Sequence, residues 1–386
     1  MINIAEKHNC CGCGACAQAC VKNCITMTAD EEGFLYPKVD LTHCFDCHLC
    51  EKACPLLQEK PQEQMQPELF ASYALNPELR KKSSSGGVFS LLADWILSKG
   101  GVVFGAAFDE DFSVHQVMAE NLDQLAALRG SKYLQSRTEE TYLQAKQQLQ
   151  LGKKVLYTGT ACQIAGLKSY LGADDPNLYT VDVLCHGVPS PKIWKRYLRE
   201  QECAHDAKVS AVNFRKKVPS WKRYSVEINF DNGKQYRKSV EEDAFMQCFL
   251  GDICLRPSCH VCKYRGVPRV SDLTIGDAWG IWKHMPQMDD DRGTSVVVVH
   301  TEKGRNLWGA ICDGMTCQQG SAAALLSGNP SFWHCSKPHP QRNQFFMEAN
   351  SGASMEQLKK YVQKSFGQKI WSLAKRCVKK VLCIVR

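Results

Sequence analysis

Eight cysteines at a fixed spacing limit this chain more than any other feature. Cys10, Cys13, Cys16 and Cys20 read C-x2-C-x2-C-x3-C, and Cys44, Cys47, Cys50 and Cys54 repeat the run, with Pro55 following. Such spacing lets a short loop aim three thiolates at one cube of iron and sulfide, while the fourth Cys of each run serves the other cube. One 4Fe-4S centre is therefore expected on Cys10, Cys13, Cys16 and Cys54, and a second on Cys44, Cys47, Cys50 and Cys20. The small residues Gly12, Gly14 and Ala15 let backbone N–H groups approach the sulfurs, which tunes their potential. A pair of zinc sites is the rival reading, and it fits eight thiolates at this spacing poorly. Cys11 and Cys24 are spares in this register, although Cys24 could replace Cys20 if the local turn shifted. Val21 stands where a proline usually follows the fourth Cys.

Residues 1–60 thus read as a small ferredoxin-like domain with two 4Fe-4S clusters. Residues 56–70, rich in Gln, Glu and Pro, read as its boundary, with a linker over 61–70. The whole chain has 22 cysteines, which calls for either a disulfide framework or metal ligation. Its start lacks the basic end and apolar stretch of a signal peptide, and its longest apolar runs, such as "SVVVV", are too short to span a bilayer. A cytoplasmic protein with reduced, metal-binding thiols is expected. The net charge of +8 is located in the tail, because residues 353–386 hold nine Lys or Arg and one acid, Glu356. The body is charge-balanced, which argues against a nucleic-acid partner.

Beyond the linker the pattern is that of a packed α/β domain, read over 71–345. "SSSGG" (83–87) is a polar turn before an amphipathic helix with apolar residues at 88, 89, 91, 92, 95, 96 and 97. Strands are expected at 102–108, 113–120, 153–159 and 177–185, and helices near 139–150 and at 161–171. A further helix at 190–201 has Ser190 as N-cap and Pro191 in its first turn. Residues 223–239 form a hairpin around Asn-Gly. The expected fold class is α+β/α/β: the small ferredoxin-like domain, then a mixed-sheet domain instead of a clean doubly wound repeat. Neither G-x-G-x-x-G nor a Walker A run occurs.

Three turns look chemical. Ser84, Ser85, Gly86 and Gly87 place hydroxyls and backbone N–H groups before a helix, a geometry for phosphate or pyrophosphate. An ordinary N-cap loop explains them equally well. "RGSKY" (129–133) sets Lys132 beside a small turn, where a solvated lysine is the plain reading. "TGTACQ" (158–163) joins a buried strand to a helix at the carboxyl end of the strand, where ligands of open sheets commonly sit. A third cysteine set lies in "CLRPSCHVCKYRG". Cys259 and Cys262 need two more partners, and Cys254, Cys162 and Cys185 are the candidates. Unpaired structural cysteines and a tetrathiolate zinc are the alternatives.

Taken in order, "SSSGGVFS", "GGVVFGAAF", "LRGSKYLQS", "LYTGTACQIAGLKSYL", "VLCHGVPSPKIW", "LRPSCHVCKYRG" and "SDLTIGDAWGIW" resemble the beta subunit family of coenzyme F-420 hydrogenase and dehydrogenase, over roughly residues 5–300. The resemblance implies a flavin-binding core with FAD and a third 4Fe-4S cluster on Cys162, Cys185, Cys259 and Cys262, which demotes Cys254. It also implies flavin contacts at Ser84, Ser85, Gly86, Gly87, Ser131, Lys132, Tyr133, Gly159 and Thr160. Ala161 departs from the proline usual in that turn, so a slightly looser turn with no lost ligand is expected. Lys132 is the candidate catalytic residue, placed to stabilise negative charge on a reduced flavin or to orient substrate. Asp277 reads as a brace of its turn and His186 as a structural histidine.

Clusters pass single electrons and a flavin can collect two and hand on a hydride. The expected activity is therefore an oxidoreductase that takes electrons from ferredoxin or another redox protein. It would pass them through the clusters to FAD and on to a small substrate or the deazaflavin coenzyme F-420. A non-catalytic electron-transfer subunit serving a separate enzyme is the alternative. The tail, 353–386, could carry an apolar stripe of Trp371, Leu373, Ala374, Val378, Val381 and Leu382 opposite its cations. That suits peripheral contact with an anionic membrane, against the rival of a C-terminal helix docked on the body. Its last residues, "CIVR", make no convincing prenylation box.

Overall fold

The two cysteine runs fold as backbone copies of each other in a computed structural model that describes residues 1–58 and 65–363. In each, φ is positive at the third and fifth positions: 68° at Gly12 and 75° at Gly14, then 55° at Asp46 and 61° at His48. Left-handed backbone suits Gly, and Asp and His tolerate it better than most residues. One helical turn follows in each copy, Ala15–Gln18 carrying Cys16 and Leu49–Lys52 carrying Cys50. Between the copies, strands β1 (Ile25–Ala29) and β2 (Leu35–Val39) pair antiparallel, with Ile25 opposite Val39.

The larger unit begins with β3 (Glu68–Ala74), β4 (Val102–Phe108), β5 (Val114–Ala119), β6 (Val155–Gly159) and β7 (Leu178–Val183). Strands β8 (Val209–Lys216), β9 (Ser225–Phe230) and β10 (Gln235–Ser239) form a separate antiparallel sheet in the order β10-β9-β8. The chain then returns through β11 (Leu273–Asp277), β12 (Ser295–Val299) and β13 (Met315–Gln319). These complete an eight-stranded sheet ordered β13-β3-β12-β11-β7-β6-β4-β5. Strands β11, β7, β6 and β4 run parallel at its centre, and antiparallel pairs flank them. The sheet is mixed, as the pattern of residues requires.

Alternation along the central strands places side chains on two cores. Val103 joins Leu92, Ala93 and Ile96 of the helix Val88–Ser98 on one face. Val102 and Phe104 join Tyr142, Ile164 and Leu167 on the other, under the helix Ala161–Leu171. All five residues of β12 are buried, as expected of a strand covered on both faces. A third core lies between the β8–β10 sheet and the helix Pro191–His205. That helix starts at Ser190, whose hydroxyl accepts from the Ile193 N–H, with Pro191 in the first turn. Such a cap contributes about 1 kcal/mol.

Two expected boundaries move. The linker assigned to 61–70 ends earlier, because Glu68–Ala74 is the strand between β13 and β12. The tail assigned to 353–386 begins as packed structure: Met355, Leu358 and Tyr361 are buried in the third core, on the helix Ala244–Leu250. The proposed apolar stripe from Trp371 to Leu382 lies outside the described residues. Among the described residues, no helix is long and apolar enough to cross a membrane.

Candidate metal centres

The third cysteine set gathers where two parallel strands end. Cys162 follows β6 and Cys185 follows β7, and β6 and β7 are neighbours. Both therefore reach the carboxyl edge of the sheet, and the 3-10 turn Pro257–Val261 brings Cys259 and Cys262 there. All four thiols line one cavity of about 690 Å³. Cys185 is pushed up to about 12, first by burial and then, after opposition from Arg265, by the nearby Cys162 and Cys262. Cys259 is raised too, by burial and then by Cys185. The Thr160 hydroxyl lies 3.1 Å from the Cys162 sulfur. Cys254 is elsewhere: it is fully buried in the third core, in the same cluster as Cys248.

Two residues that line this cavity carry buried polar atoms without partners. Tyr264 and Arg265 line it, and the Tyr264 hydroxyl and the Arg265 Nε have no hydrogen-bond partner among the described residues. Arg265 otherwise donates to the carbonyls of Cys185, His186 and Ser331. Buried donors left unpaired cost roughly 1–3 kcal/mol each. Thiolate and sulfide acceptors on the four cysteines would satisfy them, so the donor set fits an iron–sulfur cluster. Cys335 is a fifth thiol nearby, its Sγ 3.5 Å from the Cys262 carbonyl.

The structure brings thiols from both N-terminal runs together. Cys20, Cys44, Cys47 and Cys50 line a second, small cavity together with Cys24. Cys16 is pushed up to about 12 by burial, then by Cys10 and Cys54, which places the last Cys of the second run beside the first run. The two spares have definite positions. Cys24 lies with its sulfur 3.2 Å from that of Cys20, so five thiols line the small cavity. Cys11 lines the core cavity beside Cys162, and the thiols of Cys13 and Cys162 both perturb its own, so it stands near the first run and the core set alike. Its neighbour relation to Cys162 had no signal in the sequence, because the two lie 151 positions apart.

Many hydrogen bonds across the seam between the two units end on backbone carbonyls of the N-terminal unit. Thr138 donates to the Cys13 carbonyl at 2.8 Å, and Gln135 donates to the Cys11 and Gly12 carbonyls at 3.4 Å. Arg256 donates to the Cys10 carbonyl at 2.9 Å and the Leu35 carbonyl at 2.8 Å. At the edge, Arg342 grips Glu32 with two bonds of 2.5 and 2.6 Å.

The serine loop behaves differently from a free phosphate cradle. The Gly86 N–H donates to the Ser295 Oγ, and a Cβ there would meet the Ser72 carbonyl at 2.4 Å. Close packing on β3 and β12, and not an open nest, therefore accounts for Gly86. Ser85 donates to the Thr294 carbonyl, while its own carbonyl accepts from Lys217. Ser84 accepts from both the N–H and the hydroxyl of Ser131, so the two loops do meet. Gly87, at φ 99°, opens the helix Val88–Ser98 without a side-chain cap, and Arg129 reaches Ser90 in its first turn. Uncapped N–H groups beside a cation suit an anion.

Lys132 donates to the carbonyls of Arg129 and Gly130, and burial lowers it to about 7. Tyr133 packs its ring on Phe214 and Phe249, a core position. Thr160 borders the thiol cavity, where it caps the helix Ala161–Leu171 in a capping box with Gln163, and Gly159 ends β6 just before it. Asp277 braces, accepting from Arg215 at 3.0 Å and Trp221 at 2.8 Å. His186 pairs with Asp252 at 2.7 Å.

Comparison with known proteins adds the family. Residues 9–56 match the 4Fe-4S dicluster domain. Residues 69–141 match the N-terminal part, and residues 152–320 the C-terminal part, of the coenzyme F420 hydrogenase/dehydrogenase beta subunit. An uncharacterized ferredoxin of Methanocaldococcus jannaschii is 36% identical over 52 residues, 14% of this chain and 66% of that protein. Among solved structures, a chain of the F420-reducing [NiFe] hydrogenase complex of Methanosarcina barkeri, from a xenon derivatization study, is 17% identical. It covers 78% of this chain and 93% of its own length at a TM-score of 0.45. The two beta-subunit matches fall in order on the unit that holds the third cysteine set, and the dicluster match falls on the paired runs. The chain belongs to the coenzyme F420 hydrogenase/dehydrogenase beta subunit family, with a 4Fe-4S dicluster domain at its N-terminal end.

Proposed function

We propose that the chain is an iron–sulfur flavoprotein oxidoreductase that draws electrons from reduced ferredoxin and delivers them, through FAD, to a small substrate or a deazaflavin coenzyme. The observation that carries this reading is the shared cavity: the core thiols and the N-terminal runs meet at one seam, with Cys11 between them. Bound clusters would supply one-electron steps and a flavin would supply hydride transfer. Cys10, Cys13, Cys16 and Cys54 would hold one cluster, and Cys20, Cys44, Cys47 and Cys50 the second. Cys162, Cys185, Cys259 and Cys262 would hold the third.

The residues around these thiols have separate tasks. Tyr264, Arg265 and Thr160 offer hydrogen bonds toward the core sulfurs, and such bonds raise potential. The seam buries Cys10, Cys13 and Cys16 away from water. The segment from Ser131 to Ser136 runs from the serine loop to the thiol cavity, tying the anion site to the metal site. The first turn of Val88–Ser98, with Ser84, Ser131 and Arg129, would bind the flavin pyrophosphate. Lys132 would hold positive charge near the flavin, and its lowered pKa lets it take or give a proton near neutrality.

Anaerobic purification followed by iron, sulfide and flavin assay tests the proposal. About twelve irons and one FAD per chain are expected, with Cys259→Ser losing about four irons and Cys254→Ser keeping them all. About eight irons without flavin would leave a two-cluster electron carrier with no flavin chemistry, and the enzyme reading would be withdrawn.

A further inference from the structure

Arg256 is fully buried and has no carboxylate partner among the described residues. A buried cation without a counter-charge is costly, by several kcal/mol on general grounds. Its neighbours satisfy its donors but not its charge: the Cys10 and Leu35 carbonyls, and the Gln135 side-chain oxygen at 2.9 Å. The rings of Tyr36 and Phe34 lie 4.3 and 5.5 Å from the guanidinium. The remaining contact is a sulfur, Cys10 Sγ, at 3.6 Å from one terminal nitrogen.

The backbone of the same residue is tied to the other metal site. Its N–H donates to the Val188 carbonyl, three residues after Cys185, and its carbonyl accepts from the Cys259 N–H, each at 2.9 Å. Arg256 therefore reaches the Cys10 loop with its side chain and the core thiol loops with its main chain. Gly12 is shaped around it, since a Cβ there would meet the guanidinium at 2.7 Å.

We infer that Arg256 is the counter-ion of the centre that Cys10 serves, and that it raises that centre's reduction potential while fixing its loop against the core thiols. The inference rests on the proposed iron–sulfur reading. Reduction adds one electron, and so one negative charge, to the centre. Arginine cannot release a proton in this range, so Arg256 stabilises the reduced form by its fixed charge together with the hydrogen bond its guanidinium directs at Cys10 Sγ. Hydrogen bonds and charge near the sulfurs are the means by which a protein sets such potentials. This is a positioning role, since Arg256 acts through Cys10.

Potentiometric titration of the full chain, followed by electron paramagnetic resonance under anaerobic conditions with a low-potential one-electron reductant, tests it. Wild type, Arg256→Gln and Arg256→Lys are compared, with iron per chain measured on each. The expected result is a negative shift of one midpoint potential in Arg256→Gln, the others staying in place. Arg256→Lys, which keeps the charge but loses the forked donors, should show a smaller shift of the same signal. Unchanged potentials in any variant that retains wild-type iron would overturn the inference, as would an equal shift of every centre. If Arg256→Gln fails to hold iron, Arg256→Lys decides alone, on the same criterion. A wild-type chain with no reducible centre would instead sink the iron–sulfur reading itself, whatever the variants do.

Discussion

A lysine titrating near 7 should be the most reactive amine of this chain at neutral pH. Burial lowers Lys132 to about 7, against an ordinary lysine value of about 10.5. Below 7 it is protonated and inert to acylating reagents; above 7 it is a free amine ahead of Lys217, which burial lowers to about 8, and of the ordinary surface lysines. Mass spectrometry after brief labelling should therefore find Lys132 modified first, with a rate that rises through about pH 7, and saturation with flavin should protect it. Labelling that rises only above pH 9 would show that the amine is solvated. The sequence made Lys132 visible as a cation beside a small turn but carried no sign of its burial. Arg256 was less visible still, because nothing in "LRPSCHVC" tells whether an arginine points to water or into a seam. Cys11 could be read only as a spare, since its partner Cys162 is brought to it by the fold.

At the scale of elements, the repeated loops offer an internal control. Gly12 and Asp46 occupy the same place in the two copies, both at positive φ. Asp46 is exposed and bonds the N-terminal amine at 2.7 Å, whereas a side chain at Gly12 would strike Gln135 and Arg256. Left-handed backbone alone costs a residue with a Cβ about 1–2 kcal/mol. Gly12→Ala should therefore cost more than that, lower bound iron and leave the second centre intact; Asp46→Gly should change stability by only a few tenths of a kcal/mol. Equal iron loss in the two variants would contradict the crowded seam. Elements with local signals were legible: the cap at Ser190 and Pro191, the buried run of β4, and the helix after "TGT" fall where the residues put them. The first three residues of β3, 68–70, were taken for linker because Gln, Glu and Pro precede them and its partners, β12 and β13, lie more than 200 positions away. Nothing local could have supplied that pairing.

For the whole molecule, the seam decides whether two units behave as one. Arg342 and Glu32 form a forked pair at its edge, each largely buried, and Arg342 also donates to the Leu255 carbonyl at 2.9 Å. Charge-assisted hydrogen bonds of this kind contribute about 1.5–3 kcal/mol. Arg342→Met should accelerate amide hydrogen exchange at Phe34 and Leu35 on the N-terminal side while leaving Val297, in the central sheet, as slow as before. Uniformly faster exchange would mean that the pair stabilises the fold at large and not the seam. The four thiol positions at the cavity are legible as a set only through family resemblance; spacing alone left Cys254 competing with Cys162 and Cys185.

The donors along that seam bond the main-chain carbonyls of Cys10, Cys11, Gly12, Cys13 and Leu35. Apart from Gly12, Gln18 and Glu32, whose side-chain size or bonds matter at the seam, a surface that reads carbonyls tolerates changes of side chain but is strict about chain length. Over evolutionary drift, most outward substitutions in the N-terminal module would pass without disturbing its fit. One inserted or deleted residue between Cys10 and Cys13 would shift the whole row of acceptors out of register at once.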